Sequence, residues 1–163
     1  MPAEELIIAD SSPLIGRARI GQLGLLPKLA KRIVVPAAVH AEVTAARADA
    51  PGAAEVAAQA WIEVETADPV VVAPLLILVG RGEAEAIALA QKEPAAVLLV
   101  DDLRARKLAQ RLGLRRMGTV ALLSQARREG LIPTLKLALD ALVAHGIFIR
   151  QELIDAALEE AGE

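Results

Sequence analysis

The chain has 163 residues and a formal net charge of −3; 55% of its residues are apolar and only 1% aromatic. This length predicts one domain over residues 1–163, with a core of Ala, Leu, Val and Ile. The absence of cysteine excludes disulfides, thiolate metal sites and cysteine nucleophiles, and two histidines are too few to favour zinc chemistry. No export signal or membrane span is visible, so we expect a cytoplasmic protein.

Strands and helices are predicted to alternate along the chain. The first apolar run, residues 6–10, indicates a buried strand, and Ser12 before Pro13 is typical of a helix N-cap and first helical position. Later strands are predicted at residues 33–35, 62–65, 96–100 and 114–117, and helices at 13–20, 22–30, from 36, 52–60, 80–92, 102–113, 119–130, from 133 and from 151. This alternation predicts a parallel sheet covered on both faces.

Acidic residues recur where an apolar strand ends or the adjoining helix begins. They are Asp10, Glu42, the pair Glu83 and Glu85, and the pair Asp101 and Asp102. Open α/β sheets bind ligands at the carboxyl ends of their strands, and carboxylate oxygens favour hard cations such as Mg²⁺ or Mn²⁺. The pattern therefore predicts metal-assisted phosphodiester chemistry.

Six short blocks carry a resemblance that runs in order along almost the whole chain. They are Asp10-Ser11-Ser12-Pro13-Leu14-Ile15, residues 35–43 (VPAAVHAEV), 82–90 (GEAEAIALA), 101–106 (DDLRAR), 118–119 (GT) and 130–132 (GLI). Together they resemble the PIN-domain superfamily, and in particular its DUF3368 branch. The resemblance implies a three-layer α/β/α domain with a central parallel sheet.

PIN domains are typically metal-dependent ribonucleases, and many small ones are the VapC-like toxins of toxin–antitoxin pairs. The resemblance therefore implies an endoribonuclease that uses Mg²⁺ or Mn²⁺. The expected partners are an RNA substrate, a small antitoxin protein and a second copy in a homodimer, with no membrane.

Carried over residue by residue, the resemblance assigns catalytic and metal-binding roles to Asp10, Glu42, Glu85 and Asp101 or Asp102. One member of the Asp101/Asp102 pair is expected to bind metal and the other to cap the following helix, and the sequence leaves open which does which.

Glu83 and Glu85 are two residues apart and point to different sides of a helix. We prefer Glu85 as the ligand and take Glu83 as a residue that lines the site and favours the helix N-terminus. Ser12 and Thr119 match small hydroxyl positions of the family and are expected to line the site.

A basic segment follows the last acidic pair. Between Leu103 and Arg128 there is no Asp or Glu, and Arg104, Arg106 and Lys107 begin this stretch beside the predicted site. These three cations are candidates for RNA binding, because a positive rim attracts a phosphate backbone. Solvated helix faces are an equally weighted interpretation. With so few aromatic rings, base stacking is expected to contribute little.

Two other functions are open. A catalytically weak or inactive PIN-like module would bind nucleic acid or a partner protein, and the apolar residues 69–79 could then form a dimer face or an antitoxin groove, although internal packing is favoured for them. A phosphatase of the haloacid dehalogenase type fits less well, because Ser12 stands where that family needs a second acid.

Overall fold

The computed structural model describes residues 4–45 and 52–163. The strands in these ranges are β1 Glu4–Ala9, β2 Ala30–Pro36, β3 Ile62–Glu65, β4 Ala96–Leu99 and β5 Arg116–Met117. They form one parallel sheet in the order β3-β2-β1-β4-β5. The helices in the described ranges are α1 Ser11–Arg19, α2 Leu26–Leu29, α3 Ala37–Ala45, α4 Ala53–Ala57, α5 Pro69–Leu75, α6 Arg81–Lys92, α7 Leu103–Arg111, α8 Thr119–Arg128, α9 Leu135–Ala144 and α10 Gln151–Ala161.

The central strands β1 and β4 are buried on both faces of the sheet. Along β1, Ile7 and Ala9 join one apolar cluster, which is completed by α1, α3, α8 and α9, while Leu6 and Ile8 join a second cluster with α5, α6 and α7. Successive side chains of a strand point to opposite faces, so a strand covered on both sides reads as a continuous apolar run. The three-layer α/β/α architecture and the parallel sheet expected from the sequence are confirmed.

The order of the strands reverses at β1. From β1 the chain adds β2 and β3 on one side, then crosses back to add β4 and β5 on the other. Ala9 lies opposite Leu99 in the register, and the backbone N–H of Asp10 donates to the carbonyl of Leu99 at 3.0 Å. The carboxyl ends of β1 and β4 are therefore level, at the position where open α/β sheets form their binding crevice.

Strand β2 is longer than the three residues predicted. It runs for seven residues because it includes the exposed Lys31 and Arg32, whose charges hide the strand pattern. Arg32 lies opposite Leu6 of β1 in the register, and its side chain donates to Glu63 of β3 at 2.9 Å and to Glu65 at 3.4 Å.

Helix α1 begins at Ser11, two residues earlier than predicted from Ser12 as N-cap and Pro13 as first helical residue. Asp10 occupies the N-cap position, although its side chain accepts no capping hydrogen bond, and Ser12 lies exposed in the first turn. The Asp10 carboxylate is thus not used to cap the helix that follows it.

Residues 69–79 are only partly internal. Val72 and Leu75 of α5 are buried against α6, whereas Val70 is 80% exposed and Ile77 is 85% exposed. The preference for internal packing is therefore correct for one side of this segment and wrong for the other. No helix within the described ranges has the length and apolar character to cross a bilayer.

Candidate metal centre

One carboxylate of the centre is buried with an atom left unpaired. Asp10 follows β1 directly and is only 2% exposed, and its Oδ1 atom has no hydrogen-bond partner. Leaving a buried polar atom unpaired costs free energy, and leaving a buried charge unpaired costs more. Such an atom requires either a proton on the carboxyl group or a ligand in front of it.

Gly82 leaves the space in front of that atom open. A Cβ atom at this position would lie 3.2 Å from Oδ1 of Asp10, 3.5 Å from Oε2 of Glu42 and 3.1 Å from a methyl group of Val39. Two carboxylate oxygens, one from the end of β1 and one from α3, therefore converge on the same point. Any larger residue at position 82 would fill the gap between them.

The electrostatics of Asp10 identify its acidic neighbours. Burial is the main cause that raises the pKa of Asp10 to about 7, and the charges of Glu83, Glu42 and Asp102 raise it further. The backbone N–H of Ser11 opposes the shift. We call Asp10, Glu42, Glu83 and Asp102 the acid cluster, because the charges of the other three act on the buried carboxyl group.

The charge of Glu83 is among those that raise the pKa of Asp10, whereas the sequence-preferred Glu85 is not. Glu83 also lines a cavity together with Asp102. Glu85 is 7% exposed within α6 and is not among the charges that raise the pKa of Asp10. At 3.6 residues per turn, two positions apart means roughly 200° around the helix, so the two side chains cannot both face the end of β1.

Asp101 and Asp102 have different surroundings. Oδ1 of Asp102 accepts from the backbone N–H of Ala105 at 2.9 Å and caps α7. Asp101 accepts from the backbone N–H of Thr119 at 2.7 Å and from the Thr119 hydroxyl. Asp102 thus combines the capping role with a place in the acid cluster, while Asp101 ties the end of β4 to the start of α8.

The other residues predicted for the site differ in how far they are exposed to solvent. Thr119 is buried and lies at the first position of α8, where it holds Asp101. Arg104 is exposed and lines the same cavity as Glu83 and Asp102. Arg106 is half-buried, and a Cβ atom at Gly118 would collide with its guanidinium group; Lys107 is exposed.

Arg17, the largest fully buried side chain among the described residues, was not predicted from the sequence. Its Nη1 donates to the carbonyl of Pro13 at 2.7 Å, while its Nε and Nη2 have no partner. Burial lowers the pKa of Arg17 to about 10, and the nearby charge of Asp101 opposes that shift. The available signal was the spacing of Arg17 from Leu14 and Ala18 on the apolar side of α1, which places a cation in the core.

The residues present fit a hard divalent cation. Within residues 4–45 and 52–163, no three Asp, Glu or His side chains form a ready-made cage. Mg²⁺ does not need one, because it usually takes one or two carboxylates and keeps several waters. The unpaired Oδ1 of Asp10 and the gap at Gly82 provide such an opening among oxygen donors.

A comparison with protein-family models supports this interpretation. The family model DUF3368, described as a PIN domain, matches residues 6–163 and so covers nearly all of the chain. No curated protein matches the chain. The match includes every acidic residue discussed above.

We predict that Asp10→Asn stabilises the metal-free protein in a pH-dependent way. The folded chain keeps the Asp10 proton up to about pH 7, whereas an unfolded Asp loses it near the ordinary value of 3.8. The folded state therefore binds more protons between these values, and the wild-type protein loses stability as pH rises through this window. Chemical denaturation in EDTA should show the variant more stable by a few kcal/mol at pH 8 and by little at pH 4. An equal difference at both pH values would contradict the buried, proton-holding carboxyl group.

We predict that Arg17→Met is tolerated or stabilising. Methionine has a similar volume and removes a desolvated cation that makes one hydrogen bond, so unfolding at pH 7 should require about 1 kcal/mol more. Urea denaturation of both proteins measures the difference. A loss of several kcal/mol would instead mean that attraction to Asp101 outweighs the cost of burying the charge.

Proposed function

The chain belongs to the PIN-domain family DUF3368, and from this we propose that it is a metal-dependent endoribonuclease that uses Mg²⁺ or Mn²⁺. PIN domains are generally nucleases, so membership of the family supports a phosphodiester hydrolase. Family membership does not specify the substrate or the metal, and we propose RNA as the substrate and Mg²⁺ or Mn²⁺ as the metal.

The observation that carries the proposal is the unpaired Oδ1 of Asp10 within the acid cluster. Three carboxylates whose charges act on one buried carboxyl group are unfavourable in a metal-free protein, and a divalent cation removes that penalty. A cluster kept only for solubility would lie in water, but its central member is buried beneath the ends of β1 and β4.

Asp10, Glu42, Glu83 and Asp102 would hold the metal. When bound, the ion supplies positive charge for the scissile phosphate and lowers the pKa of a coordinated water. Asp10 presents Oδ1 towards the gap at Gly82, and Glu42 approaches the same gap from α3. Asp101 acts through Thr119, since its two hydrogen bonds fix the turn that carries Asp102.

The basic residues would bind the RNA backbone. Arg104 and Lys107 are exposed on α7, directly after the acid cluster in the chain, and can attract phosphates towards an edge that carries several negative charges. Arg106 is half-buried beside Gly118, and we assign it a weaker contribution to RNA binding.

We further propose that the protein is the toxin of a VapBC-type pair, held inactive by a small antitoxin and assembled as a homodimer. Its support is the resemblance to small PIN domains with that role. Induction of the wild-type chain in a bacterial host should arrest growth, and induction of Asp10→Asn should not. Growth unaffected by an active nuclease would argue against the toxin role while leaving the enzyme proposal intact.

We predict metal-dependent cleavage of RNA that Asp10→Asn abolishes. A mixed RNA pool is incubated with the purified wild-type protein in Mg²⁺, Mn²⁺ or EDTA, and single-stranded DNA of the same sequences serves as a second substrate. Cuts should appear in RNA with metal only, and the variant should lose at least about a hundredfold in rate. Absence of cleavage by a folded, metal-loaded wild-type protein would leave a binding module as the better description.

We predict that Glu83→Gln and Glu85→Gln separate the two acids of α6. Each change removes one charge and keeps the shape of the side chain. Glu83→Gln should reduce metal affinity and cleavage by about tenfold to a hundredfold, whereas Glu85→Gln should stay within about threefold. Calorimetric titration with Mn²⁺ and single-turnover cleavage measure the two effects. The opposite order would restore Glu85 as the ligand that the sequence favoured.

A further inference from the structure

Helix α5 and the turn after it are apolar on two opposite sides. The inner side carries Val72 and Leu75, which are buried against α6. The outer side carries exposed residues at i, i+3, i+4 and i+7, the spacing of one helix face, and these are Val70, Ala73, Pro74 and Ile77. We call these four residues the outer stripe.

The helical path continues beyond the last residue of α5, so Ile77 keeps its place in the outer stripe. The backbone N–H of Leu76 donates to the carbonyl of Val72 at 3.2 Å, and that of Val79 donates to the carbonyl of Leu75 at 3.1 Å. Both bonds join residues four apart, as in an α-helix. Since Leu75 is itself buried, the outer stripe is held on the core in a fixed shape.

A helix that is apolar all round is normally buried on all sides. Here one side is exposed, because Val70 is 80% exposed and Ile77 is 85% exposed. Contiguous exposed apolar side chains mark a contact surface, whereas isolated ones do not. We propose that the outer stripe is the contact between two copies of this chain, in which α5 packs antiparallel to α5 of the second copy around a twofold axis. This inference rests on the proposed homodimer and identifies the surface that forms it.

The lack of charge on this surface favours a second copy as the occupant. No charged residue lies between Pro69 and Gly80. In a twofold contact the same surface meets itself, so a charge near the axis would meet the same charge across it. An RNA backbone, by contrast, requires Lys or Arg on the surface that binds it.

The sizes of the side chains are symmetric about the centre of the outer stripe. Ala73 and Pro74 are small and lie in the middle, and the larger Val70 and Ile77 lie at the ends. An axis between positions 73 and 74 brings Val70 of one copy opposite Ile77 of the other, and the small residues at the centre let the helices approach closely. The antiparallel arrangement also keeps the exposed Asp68, the N-cap of α5, at opposite ends of the contact.

The exposed apolar surface extends beyond the outer stripe. A stable interface buries about 800 Å² on each partner, which is more than four side chains of a short helix offer. Val71, Leu76 and Leu78 are also exposed and flank the stripe. The cavity that these two leucines line also includes Asp102, and the next residue, Leu103, is 63% exposed. Apolar surface therefore runs from α5 to the start of α7.

The first test places a charge at either end of the outer stripe. Val70→Lys alone, or Ile77→Glu alone, sets a charge against an apolar side chain of the second copy, and twofold symmetry repeats this contact. Each change should weaken the dimer by at least about a hundredfold, measured by sedimentation equilibrium. Phe148→Lys is the control, because Phe148 is 87% exposed in the segment between α9 and α10, and this change should leave the dimer intact.

The second test combines the two charges in one chain. Position 70 of one copy faces position 77 of the other, so Val70→Lys with Ile77→Glu sets opposite charges against each other twice. The double variant should recover most of the affinity that either single variant loses. Within one chain the two positions lie about 10 Å apart along the helix, too far for an ion pair. Recovery also shows that neither change prevents folding.

The third test locates the twofold axis. The chain has no cysteine, so Ala73→Cys introduces a single thiol in each copy. Beside the axis the two thiols lie within reach of each other, and oxidation should link the two copies through a disulfide. Ala121→Cys, at an exposed position on α8, should stay unlinked at the same protein concentration.

Oligomeric state is measured without RNA or metal, which separates failure of this surface from failure of the nuclease. Loss of the dimer in both single variants, recovery in the double variant and linkage through Ala73→Cys support the proposal even if the wild-type protein cuts no RNA. A monomeric wild-type protein overturns it together with the proposed homodimer. A wild-type dimer that Val70→Lys and Ile77→Glu leave intact overturns the surface alone, and a double variant that stays monomeric overturns the antiparallel pairing.

Discussion

The structure depends on burying one carboxyl group at the end of β1, where the order of the strands in the sheet reverses. Asp10 follows the central strand, is almost inaccessible to solvent, and leaves one oxygen unpaired. The burial follows from the strand order, because the ends of β1 and β4 lie side by side and cover the residue that follows β1. Each other acid then acts on Asp10 from a different element: Glu42 from α3, Glu83 from α6 and Asp102 from the start of α7.

The residues around the acid cluster keep it open and fixed. Gly82 contributes by having no side chain, since a methyl group there would crowd Asp10 and Val39 and contact Glu42. Asp101 contributes through Thr119, and Asp102 is held by the N–H of Ala105. Preorganised groups of this kind do not need to be ordered when a ligand arrives, so less binding free energy is lost.

Much of the fold could be predicted because its central strands β1 and β4 are apolar on both faces. The runs before Asp10 and Asp101 are short and rich in Ile, Leu and Val, which favours buried strands, and an Asp follows each run. The prediction of β2 was less successful, because the exposed Lys31 and Arg32 lie at its beginning, and the side chain of Arg32 bonds to the edge strand. Position in the sheet, which local sequence does not encode, decides that a charged stretch belongs to a strand.

The details of the site were harder to predict, because they depend on how each helix is oriented on the sheet and on how deeply each side chain is buried. Helical spacing predicts that the side chains of Glu83 and Glu85 point in different directions. Which of them faces β1 depends on how α6 lies across the sheet. Arg17 was missed despite its spacing from Leu14 and Ala18, because a cation on a short amphipathic helix normally reaches water, and here α1 is covered. Residues 69–79 are apolar on all sides, so their sequence does not distinguish the buried Leu75 from the exposed Ile77.

The raised pKa of Asp10 also means that metal binding releases a proton from the centre. With a pKa of about 7, roughly half of the molecules carry this proton at neutral pH, and a cation that takes the oxygen must displace it. The heat of metal binding would then include the heat of protonating the buffer, so titrations in two buffers would give different enthalpies for the same affinity. Below neutrality each pH unit would weaken the apparent affinity by up to about tenfold. Acidification and chelation are therefore two routes to the same metal-free protein.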